Sequence, residues 1–288
     1  MSFIEVFLVD SFTKEGRGGN AAGVVFNAEG LTHADKLKIA KMVGFSETAF
    51  VCKDETVDFE VSFFTTTDEV NFCGHATVAA FSTLLDKGLI KPGRYIQRTK
   101  AGELEVTVTE NAEVIMEQQL PEKLGCFSVD EIASVLGVET QVLEKTQLPI
   151  EVISTGLPDV IVPVPAGILD LIKPNNQRIA DFCEQNQVVG FHLFELCESS
   201  SNLTASCRNF APLYGITEES ATGTSNGALA CYLTEHLLGE GDFTFEQGRA
   251  MGCASIIRAS IKTTDSNIVD VRVGGFANCK GALSVNLS

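Results

Sequence analysis

The chain has 288 residues, a formal net charge of −17, and 44% hydrophobic against 20% charged residues. That composition excludes a disordered chain and is long enough for two domains, and the acidity disfavours nucleic acid and anionic membranes, which need a basic protein surface. Nine cysteines, an odd number with no CxxC pair, point to reduced thiols in a cytoplasmic protein, and the N-terminal stretch is expected to be neither signal peptide nor membrane span.

Residues 3–9 read as a first strand, after which Gly16-Arg17-Gly18-Gly19 marks a tight turn. It is no nucleotide loop, because no GxGxxG spans a strand-to-helix step and GxxxxGK[ST] is absent. Thr32 caps a helix with Asp35 three positions on, Leu37, Ala40 and Val43 form its apolar stripe, and Gly44 stops it. Ser46-Glu47-Thr48-Ala49-Phe50-Val51 then leads into a strand, with Glu47 a carboxylate among apolar neighbours. By residue type alone a lone glutamate fits a solvated surface better than an interior. Buried beside a substrate, its pKa should rise, as a base working near neutrality requires.

Val57, Phe59, Val61 and Phe63 alternate with Asp58, Glu60 and Ser62, the pattern of a half-buried strand. Asn71-Phe72-Cys73-Gly74-His75-Ala76-Thr77 closes that run and opens a helix without charge until Asp86, which belongs inside a core. Its start offers unpaired N–H groups and a partial positive charge, and Gly74 lets a ligand approach the backbone, so an anionic small molecule is the expected partner. A turn at Lys87-Gly88 and Lys91-Pro92-Gly93 precedes two alternating strands, Leu104 to Val108 and Val114 to Met116.

Pro121 to Phe127 reads as a linker between an N-terminal domain, 1–120, and a C-terminal domain, 128–288, whose last strand or so is free to pack on the first domain. Ser128 with Glu131 caps a short helix that ends at Gly137. Strands near 150–154 and 159–164, a helix near 176–186, and strands near 188–196 and 203–210 follow. Ala221-Thr222-Gly223-Thr224-Ser225-Asn226-Gly227 then opens a second helix, uncharged until Glu235. Gly74 and Gly223 stand about half the chain apart, which suggests two similar halves whose helix starts face a shared cleft. The tail carries Glu246-Gln247-Gly248, two strands and a Gly274-Gly275 turn.

Four dispersed histidines, no HExxH and no Cys/His zinc spacing give no metal site along the chain. His75 reads either as a side chain facing a ligand or as a helix cap satisfied in the core. Cys73 reads either as a thiol with lowered pKa or as inert packing.

Gly19-Asn20-Ala21-Ala22, Ser46-Glu47-Thr48-Ala49-Phe50, Glu69-Val70-Asn71-Phe72-Cys73-Gly74-His75-Ala76-Thr77, Phe210-Ala211-Pro212, Ala221-Thr222-Gly223-Thr224 and Gln247-Gly248 resemble the PhzF-like phenazine biosynthesis family of isomerases, in the family's order over nearly the whole chain. The resemblance implies an α/β (α+β) fold of the diaminopimelate epimerase kind, with two similar domains, each a curled sheet or barrel around a central buried helix. It further implies an active site between the domains, no metal or organic cofactor, and often a homodimer. Carried over by motif, Glu47 is the acid and base that moves a proton between carbons, while Asn20, Cys73, Gly74, His75, Glu219, Gly223 and Thr224 bind substrate.

Several positions depart from the family pattern. Glu218-Glu219-Ser220 stands where Glu-Asp-Pro is usual, Thr224 replaces a serine, Ala21 a proline, and Gly252-Cys253-Ala254-Ser255 stands for Gly-Arg-Pro-Ser. Two rivals follow: an amino-acid epimerase or racemase using Cys73, and a small-molecule-binding protein without turnover. Related two-thiol epimerases carry a second cysteine where Thr222 stands, which disfavours the first rival.

Overall fold

The uncharged run after Gly74 forms the helix Gly74–Asp86, in which every side chain from His75 to Leu84 is buried. Its counterpart, Gly223–Leu233, buries nearly all of its side chains as well. The computed structural model describes residues 3–287, which divide into two units, Met1–Glu117 with Gly274–Ser288 and Gln118–Val273.

In the first unit the strands lie in the spatial order Ala277–Asn286, Phe3–Ser11, Asn20–Phe26, Glu47–Lys53, Phe59–Phe64, Gly93–Thr99, Gly102–Val108, Val114–Glu117. Two of these neighbours are parallel, Asn20–Phe26 with Glu47–Lys53 and Phe59–Phe64 with Gly93–Thr99. Parallel neighbours need a crossover. The first crossover holds the helix His33–Val43, started by a Thr32–Asp35 capping box and stopped by Gly44 at φ 74°. The second is the central helix itself. That helix touches the first four strands of the order and also the last, so the sheet curls around it.

The second unit repeats this plan. Ile150–Ser154 lies antiparallel to Pro158–Pro163, which runs parallel to Gly190–Leu196 through the helix Asn176–Asn186. Gly190–Leu196 is antiparallel to Ala205–Ala211, which runs parallel to Gly241–Gln247 through the central helix Gly223–Leu233. Here too the central helix touches strands from both ends of the order. Among the described residues no helix is long and apolar enough to cross a membrane.

The expected linker is corrected by the fold. Glu122–Phe127 is an exposed strand of the second unit, paired with Ile150–Ser154 across an irregular register opposite Gly125. Its exposed side chains and its glycine leave no alternation to read, as befits an edge strand with a bulge. Residues 118–127 therefore belong to the second unit, and 274–288 return to the first. Strands outside the sequence expectations include Asn20–Phe26, Gly93–Thr99, which begins inside the expected turn, and Gly241–Gln247, while the last strand, Ala277–Asn286, pairs with Phe3–Ser11 of the first unit.

The repeat fixes one correspondence that matters for chemistry. Each unit's first parallel ladder starts with one pair, Ala22 opposite Glu47 in the first unit and Asp159 opposite Gly190 in the second. Gly190 thus holds the place of Glu47. A Cβ there would run into the backbone carbonyl of Phe210, so no side chain fits. Gly190→Ala is expected to lower stability by more than about 2 kcal/mol through this overpacking. Gly30→Ala, whose added methyl group meets nothing within 4 Å, is expected to stay within about 0.5 kcal/mol. Chemical denaturation of the two variants checks the contrast.

Candidate active site

The first unit assembles its polar cluster from strand ends and a helix start. Glu47 begins its strand, and Cys73 and His75 flank Gly74 at the first turn of the central helix. His75 Nε2 lies 3.2 Å from Glu47 Oε2, and Cys73 Sγ lies 3.5 Å from His75 Nδ1 and 3.8 Å from Nε2. Asn20 Nδ2 stands 3.3 Å from His75 Nδ1, and Ser46 Oγ 3.5 Å from Nε2. From the first strand, Ser11 Oγ donates to the His75 carbonyl at 2.7 Å.

Local geometry explains the convergence. Gly19 has φ 92°, and a Cβ there would lie 2.6 Å from the Ser11 carbonyl. Only glycine lets the turn come back this closely on the first strand and deliver Asn20 to the cluster. Gly74 differs, because a Cβ there would meet only Met116 Cε at 3.6 Å and Phe72 Cε1 at 4.0 Å. The helix start is therefore roomy beside a backbone rich in unpaired N–H groups.

The cluster carries a charge pair. Burial pushes the Glu47 carboxyl up, but hydrogen bonding and charge from His75, with help from Ser46 and Cys73, outweigh burial and hold it below its ordinary 4.5. The expected rise is thus reversed by a partner that local sequence does not reveal. Burial also disfavours a charged imidazole, yet Cys73 and Glu47 together hold His75 well above its ordinary 6.5. Burial pushes Cys73 above its ordinary 9.0, so near pH 7 it is a neutral thiol. Glu47 is then the charged partner of His75, and Cys73 adds its hydrogen bond. The thiol with lowered pKa that a helix start suggests is not what forms.

Glu47 Oε2 is buried and faces the His75 imidazole at 3.2 Å, an ion-pair contact without the alignment of a regular hydrogen bond. Spacing along the chain shows no metal set, but folding brings ligand atoms of Glu47, Cys73 and His75 within 4.8 Å of one another.

Glu219, Gly223 and Thr224 belong to the second unit, at the start of its central helix. Thr222 Oγ1 donates to Glu219 Oε2 at 2.7 Å. Gln247, fully buried, holds this turn: its oxygen accepts from Thr222 N at 3.2 Å and Asn226 Nδ2 at 2.8 Å, and its nitrogen donates to the Glu219 carbonyl at 2.8 Å. Beneath the helix start, Ser225 Oγ donates to Asp159. Burial raises that carboxyl to about 6 and lowers the nearby buried His192 to about 3.

The five expected residues of the first unit, Asn20, Glu47, Cys73, Gly74 and His75, thus come together. Sequence reasoning missed Ser11, Ser46 and Gln247. Ser46 and Gln247 stood inside quoted motifs, and their roles lay in long-range partners; Ser11 gave no local signal.

The chain matches the family of phenazine biosynthesis-like proteins over residues 9–280 and belongs to that family. It is 33% identical to an uncharacterized isomerase of Clostridium acetobutylicum, with 94% of each chain covered. It is 26% identical to the trans-2,3-dihydro-3-hydroxyanthranilate isomerase of Pseudomonas chlororaphis, covering 93% of this chain and 94% of that one. Among solved structures, a Bacillus anthracis phenazine biosynthesis protein of the PhzF family is similar over 100% of both chains, at 29% identity and a TM-score of 0.91. A probable proline racemase from Agrobacterium radiobacter has a TM-score of 0.68 at 11% identity, over 99% of this chain and 93% of that one, a likeness of fold alone.

The charge pair makes stability depend on pH. A carboxyl held below 4.5 stabilises the fold above pH 4.5 and loses that contribution as pH falls through its folded value. An imidazole held above 6.5 stabilises the fold below pH 6.5 and loses that contribution as pH rises through its folded value. Both are in force between these two values. The stability difference between wild type and Glu47→Gln, measured by denaturation across pH, is expected to be largest there and to shrink on both sides.

Proposed function

We propose that the protein is an isomerase that moves a proton between carbon atoms of a small carboxylate-bearing molecule, with Glu47 as acid and base and no metal or organic cofactor taking part. The observation that carries this reading is the Glu47–His75 contact of 3.2 Å. It leaves a carboxylate ionised at neutral pH and half-buried beside a charged partner. Such a carboxylate is placed to take a proton from carbon.

The electrostatics follow the proton. When Glu47 is protonated, its negative charge passes to the substrate as a developing enolate, and the imidazolium of His75 faces that charge instead. The amides at Gly74 supply further donors, and Asn20 with Ser46 fixes the ring. Base catalysis contributes typically about 10²–10⁴-fold and each well-aimed donor to a developing anion about 10²–10³-fold. Return of the proton to a different carbon completes the isomerisation and restores the ion pair.

Two observations favour one base over two thiols. Cys73 is a thiol whose pKa burial raises, and Thr222 occupies the matching cap of the second central helix. Gly190 likewise leaves no counterpart to Glu47. The reading as a binding protein without turnover is weaker, since the similar proteins are named isomerases. Reduced thiols fit a cytoplasmic protein, and the family resemblance fits a homodimer.

The test is solvent deuterium incorporation, read by mass spectrometry, from D₂O into a panel of small amino and hydroxy acids that includes cyclic dienoates. Wild type is expected to label at least one compound, and Glu47→Gln to label it about 10²–10⁴-fold more slowly. Labelling that survives in Glu47→Gln would remove Glu47 from the chemistry.

A further inference from the structure

We propose that Gln247 is a positioning residue that aims the Glu219 carboxylate through the hydroxyl group of Thr222. The hydrogen-bond chain stands on geometry alone. Its effect on substrate rests on the isomerase reading and on the binding role that the family motif implies for Glu219.

Gln247 ends the strand Gly241–Gln247 and is fully buried. Gly248, at φ 79°, brings that strand end against the turn before the second central helix, since a Cβ there would lie 2.8 Å from the Ser220 carbonyl oxygen. Two backbone groups fix which way the Gln247 amide points. Thr222 N, a donor, lies 3.2 Å from its oxygen, and the Glu219 carbonyl, an acceptor, lies 2.8 Å from its nitrogen. Asn226 Nδ2 gives the oxygen a second donor at 2.8 Å and also donates to the Thr222 carbonyl. The other N–H of Gln247 is then directed at Thr222 Oγ1, 3.0 Å away.

A hydroxyl group has one proton to give. With its oxygen accepting from Gln247, Thr222 gives that proton to Glu219 Oε2 at 2.7 Å. A consequence is visible at the helix start. Thr32 and Ser128 cap two other helices and accept from the backbone N–H three positions on, as such residues usually do. Thr222 has the same extended backbone and the same capping position, yet its side chain makes no capping bond. Its hydroxyl is held on Glu219 instead. Glu219 stands where the family pattern has an aspartate. Being one methylene longer, it has one more torsion to fix, and the Thr222 hydroxyl fixes it. A carboxylate accepts hydrogen bonds, so the substrate group that Glu219 meets is a donor, a hydroxyl or an ammonium.

The experiment uses the full-length chain and the compound that wild type labels fastest among the small amino and hydroxy acids. Gln247→Leu is expected to raise KM about tenfold and to leave kcat within about threefold, because a contact made in the ground state is lost. A role in folding alone would lower kcat through the active fraction at unchanged KM, and that result overturns the proposal. Gln247→Glu keeps the shape but donates only when protonated, so its kcat/KM relative to wild type is expected to fall as pH rises; a ratio that does not fall overturns the proposal too. Should Gln247→Leu fail to fold, Thr222→Val removes the hydroxyl and is expected to raise KM as much. A crystal structure of Gln247→Leu, or of Gln247→Glu at high pH, is solved without substrate and is expected to show Thr222 Oγ1 turned away from Glu219. A hydroxyl still on Glu219 overturns the proposal whatever the activity. Absence of labelling by wild type counts against the isomerase reading, and the crystal structure still decides the hydrogen-bond chain.

Discussion

A buried charge needs an opposite charge, and in this protein that requirement is met by Glu47 and His75. His75 sits at the positive end of a buried helix, where a second positive charge is unfavourable without a counterion. Glu47 supplies the counterion from the start of the neighbouring strand, 3.2 Å away. Around the pair, Ser11 fixes the His75 backbone while Asn20 and Ser46 lie against the ring. Gly19 is there because the chain must come back onto Ser11 to deliver Asn20. The curled sheet brings together strand ends far apart in sequence, and the pair sits where they meet.

The repeat within the chain sharpens this picture. Both units wrap a sheet around a central helix with the same succession of parallel and antiparallel neighbours. Only the first carries the ion pair. In the second, Gly190 stands for Glu47 and Thr222 for Cys73, and its buried polar groups form a network of Gln247, Thr222 and Glu219 above Ser225 and Asp159. One half holds a carboxylate charged in water-poor surroundings; the other uses hydrogen bonds to hold a turn. An enzyme with one base rather than two opposed thiols is what such asymmetry favours.

Much of this was legible in the sequence because it depends on neighbours within a few residues. The capping boxes at Thr32 and Ser128, the glycine stops at Gly44 and Gly137, and the two uncharged helices are local patterns, and they form where expected. Glu122–Phe127 was illegible as a strand because an exposed edge with a glycine bulge has no alternation. Ala277–Asn286 packs back on the first unit, as a last strand was expected to be free to do, but its partner, the first strand, lies across the whole chain, beyond any window. The same limit applies to the site. Motif order brought Glu47, Cys73 and His75 to attention, but the direction of the Glu47 shift depends on a histidine 28 residues away, and Gln247 acts through a turn 25 residues before it.

The central claim is that His75 is an imidazolium because Glu47 is its counterion. Its most direct test is a pH titration of the His75 ring by nuclear magnetic resonance in wild type and in Glu47→Gln. The ring is expected to stay protonated well above pH 6.5 in wild type, as its raised pKa requires, and to lose its proton at lower pH in the variant, where only Cys73 is left to oppose burial. A ring that is neutral at pH 6.5 in wild type, or that titrates alike in both proteins, would contradict the account.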